Sequence, residues 1–144
     1  MGERAHELDD SGYRALLEFR TDLRRYLRWA DEAAARAGLT PAQHQLLLAV
    51  RGQPGPRGPT IGDVAASLLL RHHSAVGLVD RAEANGLVRR VPDRTNYRIV
   101  RLRLTPKGKQ RLESLSSLAM EELRRLAPAL RHLLDGLELE GASI

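Results

Sequence analysis

The chain has 144 residues, of which 42% are hydrophobic and 28% charged, a composition that predicts one globular domain and argues against a disordered chain. It contains no cysteine, which excludes disulfides, thiolate metal sites and thiol catalysis. The first 20 residues are rich in charge, and no apolar run approaches the ~18 residues of a membrane span, so we expect a soluble, cytoplasmic protein.

The net charge of +5 is distributed unevenly. Residues 1–50 sum to −1 and residues 113–144 to −3, whereas residues 51–112 carry 13 basic and 4 acidic side chains, a balance of +9. Coding composition can explain the preference for Arg over Lys, but it does not explain this clustering. A basic centre between neutral or acidic flanks is typical of a segment that binds a polyanion.

The first predicted element is a long helix that starts at residues 9–11 and ends at Gly38. Its apolar residues cover more than roughly 200° of the helix circumference, although packing on one core needs only ~100°. The surplus predicts a second protein surface, which we expect to be another copy of the chain. The apolar positions are Tyr13, Leu16, Leu17, Phe19, Leu23, Tyr26, Leu27, Trp29, Ala30, Ala33, Ala34 and Ala37.

Two capping boxes predict the next two helices. Residues 40–43 (TPAQ) open a helix that ends at Gly52, and residues 60–63 (TIGD) open another. Residues 53–59 (QPGPRGP) lie between them and predict a surface loop, because three prolines remove backbone donors. In the second helix we expect burial of Ile61, Val64, Ala65, Leu68 and Leu69.

A further helix over residues 72–85, closed by Gly86 as a left-handed cap, completes a helix-turn-helix. Residues 87–91 and 100–104 then predict two strands of a hairpin with an arginine-bearing face. The intervening residues 92–98 (PDRTNYR) form its basic tip. This order of elements is that of a winged helix-turn-helix, in which the second helix enters a major groove of DNA.

Thr105 and Pro106 open the last helical region, which we expect Pro128 to kink or split and Gly136 to loosen near its end. Leucines and one alanine three or four residues apart predict a seam for a helical partner. The seam comprises Leu112, Leu115, Ala119, Leu123, Leu126, Leu130, Leu133 and Leu137. The predicted fold class is mainly α with a small β-hairpin wing.

The stretch over residues 60–110 resembles the MarR (multiple antibiotic resistance) family of transcriptional regulators. The matching pieces are TIGDVAASL, HHSAVGLVDRAEANGLVRR and VRLRLTPKGKQ, in that order. The resemblance implies an N-terminal dimerisation helix over residues 1–39, a winged helix-turn-helix DNA-binding region over 40–105 and C-terminal dimerisation helices over 106–144, in one continuous structural unit. It further implies a homodimeric, ligand-responsive repressor of a pseudo-palindromic operator in double-stranded DNA.

On this resemblance, the start of the recognition helix contacts bases and phosphates. Arg71 can fork onto a guanine edge or a phosphate, and Gly77 lets the groove floor come close. His72 and His73 either donate to DNA or are solvated cap residues, and Arg81 either reaches a phosphate or pairs with a neighbouring carboxylate. The candidate DNA-binding residues are Arg71, His72, His73, Ser74, Val76, Gly77, Arg81, Arg94, Asn96 and Arg98, with Arg89 and Arg90 as further phosphate candidates.

In the wing, Arg98 matches the arginine that the family inserts into the minor groove. The family usually has an Asp two residues earlier, which often holds this arginine by a salt bridge, whereas this chain has Asn96 there. Either the wing is therefore held less rigidly, or Asp93 takes over the salt bridge. Arg101 and Arg103 are expected to contact the DNA backbone or solvent.

The resemblance also implies a small aromatic effector in a cleft beside the winged domain, for which Tyr26, Trp29 and His44 are candidates. Packing in a core or interface is the commoner fate of such residues. We expect no metal, cofactor or membrane partner. The alternative function is a winged-helix protein-interaction module without DNA binding. An enzyme is least supported, since the sequence contains no recognisable nucleophile motif, paired carboxylates or metal-ligand spacing.

Overall fold

A computed structural model of the chain describes residues 7–141, with side chains through residue 136. This part of the chain forms five helices and one two-stranded antiparallel sheet, the mainly helical winged architecture that the sequence predicts. The elements are α1 (Asp10–Arg36), α2 (Pro41–Gly52), α3 (Ile61–Leu68), α4 (His72–Ala84), β1 (Val88–Pro92), β2 (Val100–Leu104) and α5 (Pro106–Gly141).

The chain divides into two compact units. The first comprises the described residues up to Ala30 and those from Leu118 onward, and the second comprises residues 31–117. The second unit has its own core, built from α2, α3, α4 and the hairpin. The largest fully buried side chains of that core are Leu46, Leu47, Val64, Val79, Leu87, Val88 and Leu102.

The predicted helix starts are confirmed by their hydrogen bonds. Before α1, the Asp9 carboxylate accepts from the Gly12 backbone amide at 2.9 Å. The Thr40 hydroxyl accepts from the Gln43 amide at 3.1 Å, and the Gln43 side chain accepts from the Thr40 amide at 3.1 Å. The second capping box, over residues 60–63, makes the same reciprocal pair at 3.1 and 3.0 Å. Local side-chain chemistry thus determines where these helices begin.

The turn between α3 and α4 corrects one burial prediction. Leu69 adopts a left-handed conformation with φ of +55° at the end of α3, and its side chain is 93% exposed. The following amide, of Leu70, donates to the Ala65 carbonyl at 2.9 Å and closes the helix. The expectation that Leu69 is buried was wrong because the helix ends one residue before it and the cap turns its side chain outward.

The hairpin pairs Val88 with Leu104, Arg89 with Arg103, and Val91 with Arg101. Strand β1 begins at Val88, one residue later than predicted. Because directly opposed residues share a face, Arg89, Val91, Arg101 and Arg103 lie on one face, which we call the outer face. The other face carries the buried Val88 and Leu102 and packs toward α2 and α4.

Helix α5 opens at Thr105, whose hydroxyl accepts from the Gly108 amide at 3.0 Å and donates to the Gly86 carbonyl at 2.5 Å. The helix is not split at Pro128 but continues to Gly141, since one proline removes only one of many amide donors. In its seam Leu112 and Leu115 are buried, and the side chain of Leu137 lies outside the described residues. None of the helices in residues 7–141 combines the length and apolarity needed to cross a membrane.

Candidate nucleic-acid interface

The start of α4 is exposed. Arg71 is its N-cap residue and makes no side-chain capping bond, while its carbonyl accepts from the Ala75 amide at 3.1 Å. The side chains over residues 71–74 are exposed, whereas Ala75 and Leu78 are buried in the core of the unit. Within the described part of the chain, no side chain of residues 71–74 has a hydrogen-bond or ion-pair partner. The helix is therefore anchored by one face and presents Arg71, His72, His73 and Ser74 to solvent.

Two further candidates on α4, Val76 and Gly77, are half-buried. A Cβ atom at Gly77 would lie 3.3 Å from Nη1 of Arg81, so the missing side chain leaves room for that guanidinium one turn later. Arg81 itself is exposed. The absence of a side chain at Gly77 therefore lets the guanidinium of Arg81 lie close to the helix backbone.

Arg90 binds both carboxylates near Arg81. Its Nη2 lies 2.6 Å from Oδ1 of Asp80, and its Nη1 lies 2.7 Å from Oε1 of Glu83. The hydrogen bond to Asp80, followed by that to Glu83 and opposed by burial, raises the pKa of Arg90 above its ordinary value. Two expectations change: Arg81 has no carboxylate partner among the described residues, and Arg90 fastens β1 to α4 and is not a free phosphate ligand.

Asp93 organises the wing. Its side chain is only 3% exposed, and its Oδ2 accepts from the Thr95 amide at 3.1 Å, the Thr95 hydroxyl at 2.8 Å and the Asn96 amide at 3.0 Å. Its Oδ1 accepts from Nε of Arg101 at 2.9 Å. These bonds, the Thr95 hydroxyl first and Arg101 next, hold the pKa of Asp93 well below its usual value.

The structure shows which arginine Asp93 holds. Asp93 holds the turn, but it pairs with Arg101 and leaves the side chain of Arg98 without an ion-pair partner in residues 7–136. The Asn96 side chain accepts from the Arg98 backbone amide at 3.2 Å. Arg94 and Arg98 are both exposed at the tip. Arg101 was expected to contact the DNA backbone or solvent, and this prediction was wrong. Its side chain is only 20% exposed and binds Asp93 and the Gly58 carbonyl.

The loop over residues 53–59 is fastened to the hairpin, which the sequence did not predict. Nη1 of Arg101 donates to the Gly58 carbonyl at 3.0 Å, and the Leu102 amide donates to the Pro59 carbonyl at 2.7 Å. Nη1 of Arg57 donates to the Thr95 hydroxyl at 3.3 Å. No local sequence signal marks these loop contacts, because they join residues 38 to 43 positions apart.

The aromatic candidates lie in separate units. In the first, the rings of Tyr26 and Trp29 stack with centroids 6.2 Å apart and planes inclined by 25°, and both residues are half-buried. In the second, His44 is half-buried, and burial lowers its pKa below the ordinary value while the charge of Asp31 opposes the shift. Among the described residues, no cluster of three or more His, Asp or Glu is placed to bind a metal ion.

The element order, the half-exposed recognition helix and the hairpin tip define a winged helix-turn-helix protein. Residues 37–99, somewhat less than half of the chain, match the sequence model of the MarR family.

One relative is an uncharacterised HTH-type transcriptional regulator of Bacillus subtilis, YsmB, with 34% identity over 65 residues. That match spans 45% of this chain and 44% of YsmB, less than half of either protein. AbsC, a MarR family transcriptional regulator from Streptomyces coelicolor, superposes with a TM-score of 0.69 at 21% identity, covering 96% of this chain and 93% of its own. The F27L mutant of MepR from S. aureus, bound to an oligodeoxyribonucleotide, gives 0.62 at 22% identity, with 95% and 99% covered. These two likenesses show the fold.

Proposed function

We propose that the chain is a homodimeric, sequence-specific DNA-binding transcriptional regulator that acts in the cytoplasm. The observation that carries this proposal is the exposed start of α4, where residues 71–74 offer one guanidinium, two imidazoles and a hydroxyl without internal partners among the described residues. These groups suit the donor and acceptor pattern of a major groove, whose width of ~12 Å admits a helix. The surrounding segment, residues 51–112, carries a charge of +9, which favours a duplex.

The wing supplies the second contact in this proposal. Asp93 fixes the turn while Arg94 and Arg98 extend from it without ion-pair partners among residues 7–136. An arginine on a fixed turn suits a narrow minor groove, where negative potential is concentrated. The oligodeoxyribonucleotide bound by the structurally similar MepR mutant supports DNA as the ligand.

Exposed apolar residues in the first unit support a homodimer. On α1 the exposed set includes Tyr13, Leu17 and Leu27, and on α5 it includes Leu118 and Met120; Leu17 is 65% exposed and Met120 57%. Apolar surface of this extent on two helices is commonly covered by a partner. Two copies related by a two-fold axis would present their recognition helices ~34 Å apart, which matches a pseudo-palindromic operator.

The regulatory part of the proposal is a repressor that a small aromatic ligand releases from DNA. The stacked, half-buried rings of Tyr26 and Trp29 support a planar ligand, since aromatic faces bind one another with offset stacking. His44, in the second unit, stays a separate sequence-based candidate for a ligand contact.

The test begins by selecting bound fragments from genomic DNA and measuring their affinity at several salt concentrations. Arg98→Ala should weaken binding and lower the slope of log affinity against log salt by about 2 per dimer, one contact of ~0.9 from each wing. Arg124→Ala is the matched control, because Arg124 is exposed on the face of α5 opposite the leucine seam. Unchanged affinity for Arg98→Ala at matched salt contradicts the role given to the wing.

The protein-interaction alternative predicts a different outcome. No genomic fragment would be retained even in dilute buffer, and a protein partner would bind with little dependence on salt. Chromatography at micromolar concentration tests the dimer separately, since a monomer there contradicts the two-fold arrangement.

A further inference from the structure

The outer face of the hairpin borders a second basic site, which the proposed DNA contacts do not use. A cavity of about 460 Å³ lies there, and we call it the hairpin groove. Four cationic side chains line it, together with apolar residues and part of the loop over residues 53–59. The cations are Arg51, Arg89, Arg103 and Lys109.

Three distant segments bring these cations together. Arg89 and Arg103 are directly opposed in the hairpin and therefore share its outer face. Arg51 comes from the last turn of α2, and Lys109 from the first turn of α5. The convergence depends on the tertiary fold, since 58 positions of sequence separate Arg51 from Lys109.

The charge of the groove is not neutralised within the protein. None of its four cations has a hydrogen-bond or ion-pair partner in residues 7–136, and its lining contains no carboxylate. Like charges opposed across two strands, as Arg89 and Arg103 are, destabilise a hairpin. An arrangement that is unfavourable by itself becomes favourable when an anion with several charges lies between the cations.

The position of the groove separates it from the recognition helix. Arg90 binds Asp80 and Glu83 of α4 on the inner face of the hairpin, whereas the groove is lined by residues of α2, β1, β2, α5 and the loop over residues 53–59 and by none of α4. The groove is also concave and partly apolar, with Val50 and Leu104 in its lining, and its volume falls within the range of about 300–1,000 Å³ typical of small-molecule sites. A surface that only contacted the phosphate backbone of a DNA duplex would need neither the concave shape nor the apolar lining.

We propose that the hairpin groove binds a small molecule that carries two or more adjacent phosphate groups. Guanidinium groups donate two parallel hydrogen bonds to a phosphate, and two adjacent phosphates carry enough charge and acceptor oxygens to meet several of the four cations at once. This inference goes beyond the proposed function and does not depend on operator binding.

The test uses inorganic pyrophosphate as the probe, with calorimetry on the full chain in buffer of low ionic strength. The wild-type protein should bind pyrophosphate more tightly than monophosphate at equal ionic strength. Arg89→Gln with Arg103→Gln should weaken pyrophosphate binding about tenfold or more, since two charge-assisted contacts are lost. Both side chains are exposed, and circular dichroism verifies folding. The pair Arg51→Gln with Lys109→Gln, from the two helices, should give the same loss.

The matched control is Arg124→Gln with Arg131→Gln, which removes the same charge from exposed positions of α5 outside the groove. This control should keep the wild-type affinity for pyrophosphate. Equal weakening in the control, or no pyrophosphate binding by the wild type, overturns the proposal.

A DNA arm of the experiment distinguishes the two sources of phosphate. If the groove takes a small ligand, Arg89→Gln with Arg103→Gln leaves the salt slope of operator binding close to that of the control pair. A slope reduced by about 2 to 4 relative to the control, at ~0.9 per lost contact, assigns the groove to the DNA backbone and overturns the small-ligand proposal. Failure of all variants and the wild type to bind DNA would contradict the proposed function but leave the pyrophosphate result standing.

Discussion

The contact between the loop and the hairpin can be tested by adding one methyl group at Gly58. Gly58 has a φ of +80°, and a Cβ atom there would lie 2.6 Å from the Leu102 carbonyl oxygen. Its own carbonyl accepts from Arg101. Gly55, in the same loop, has a φ of +99°, but a Cβ atom there would meet nothing within 4 Å. Gly55→Ala therefore shares the backbone strain of Gly58→Ala and lacks its close contact.

The difference between the two substitutions can be estimated. A side chain on a left-handed backbone costs ~1–2 kcal/mol. Alanine offsets about 0.4–1 kcal/mol of this by restricting the unfolded chain. Gly55→Ala should therefore lower the free energy of unfolding by about 1 kcal/mol. Gly58→Ala adds an overpacking cost of ~1–3 kcal/mol, because the loop must move away from β2, so we expect a total of about 2–4 kcal/mol.

Urea unfolding followed by circular dichroism, at one protein concentration, measures both values. Chemical shifts of the hairpin amides should change in Gly58→Ala and remain near their wild-type values in Gly55→Ala. If the two substitutions destabilise the protein equally, the close approach of the loop to β2 does not contribute to stability, and the reasoning fails.

Three other predictions concern the wing, a histidine and helix α5. Asp93→Asn removes the charge that pairs with Arg101, so wing amides should exchange faster with solvent and operator affinity should fall; unchanged exchange would contradict the role of this carboxylate. Because burial lowers the pKa of His44, the unfolded chain binds its proton more readily, and stability should fall as pH decreases below the ordinary value of 6.5; His44→Gln should flatten that dependence in urea titrations. In α5, Gly108→Ala places a Cβ atom against the Leu87 carbonyl and should destabilise the protein by about 1–3 kcal/mol, whereas Gly136→Ala, with open space, should stabilise the helix by about 0.5–1 kcal/mol in thermal unfolding. Equal effects of the two glycine substitutions would refute this difference.

The sequence determined the elements whose causes are local. The capping boxes at residues 40–43 and 60–63 place helix starts correctly, because each needs only side chains three residues apart. The alternation over residues 100–104 and the basic tip before it predict the hairpin for the same reason. Three motifs in a fixed order over residues 60–110 were enough to indicate a resemblance to the MarR family, because each motif is a contiguous run of residues in the sequence.

Only the tertiary structure decided which charges are engaged. Arg90 and Arg101 look equivalent to Arg94 and Arg98 in the sequence, yet the first two bind carboxylates inside the fold and the last two remain at the surface. The partners of Arg101 are Asp93 and a loop carbonyl 43 residues away, brought together by strand register and loop docking. Both contacts of Arg101 depend on how separate segments of the chain pack together. Periodicity and local motifs therefore could not predict them.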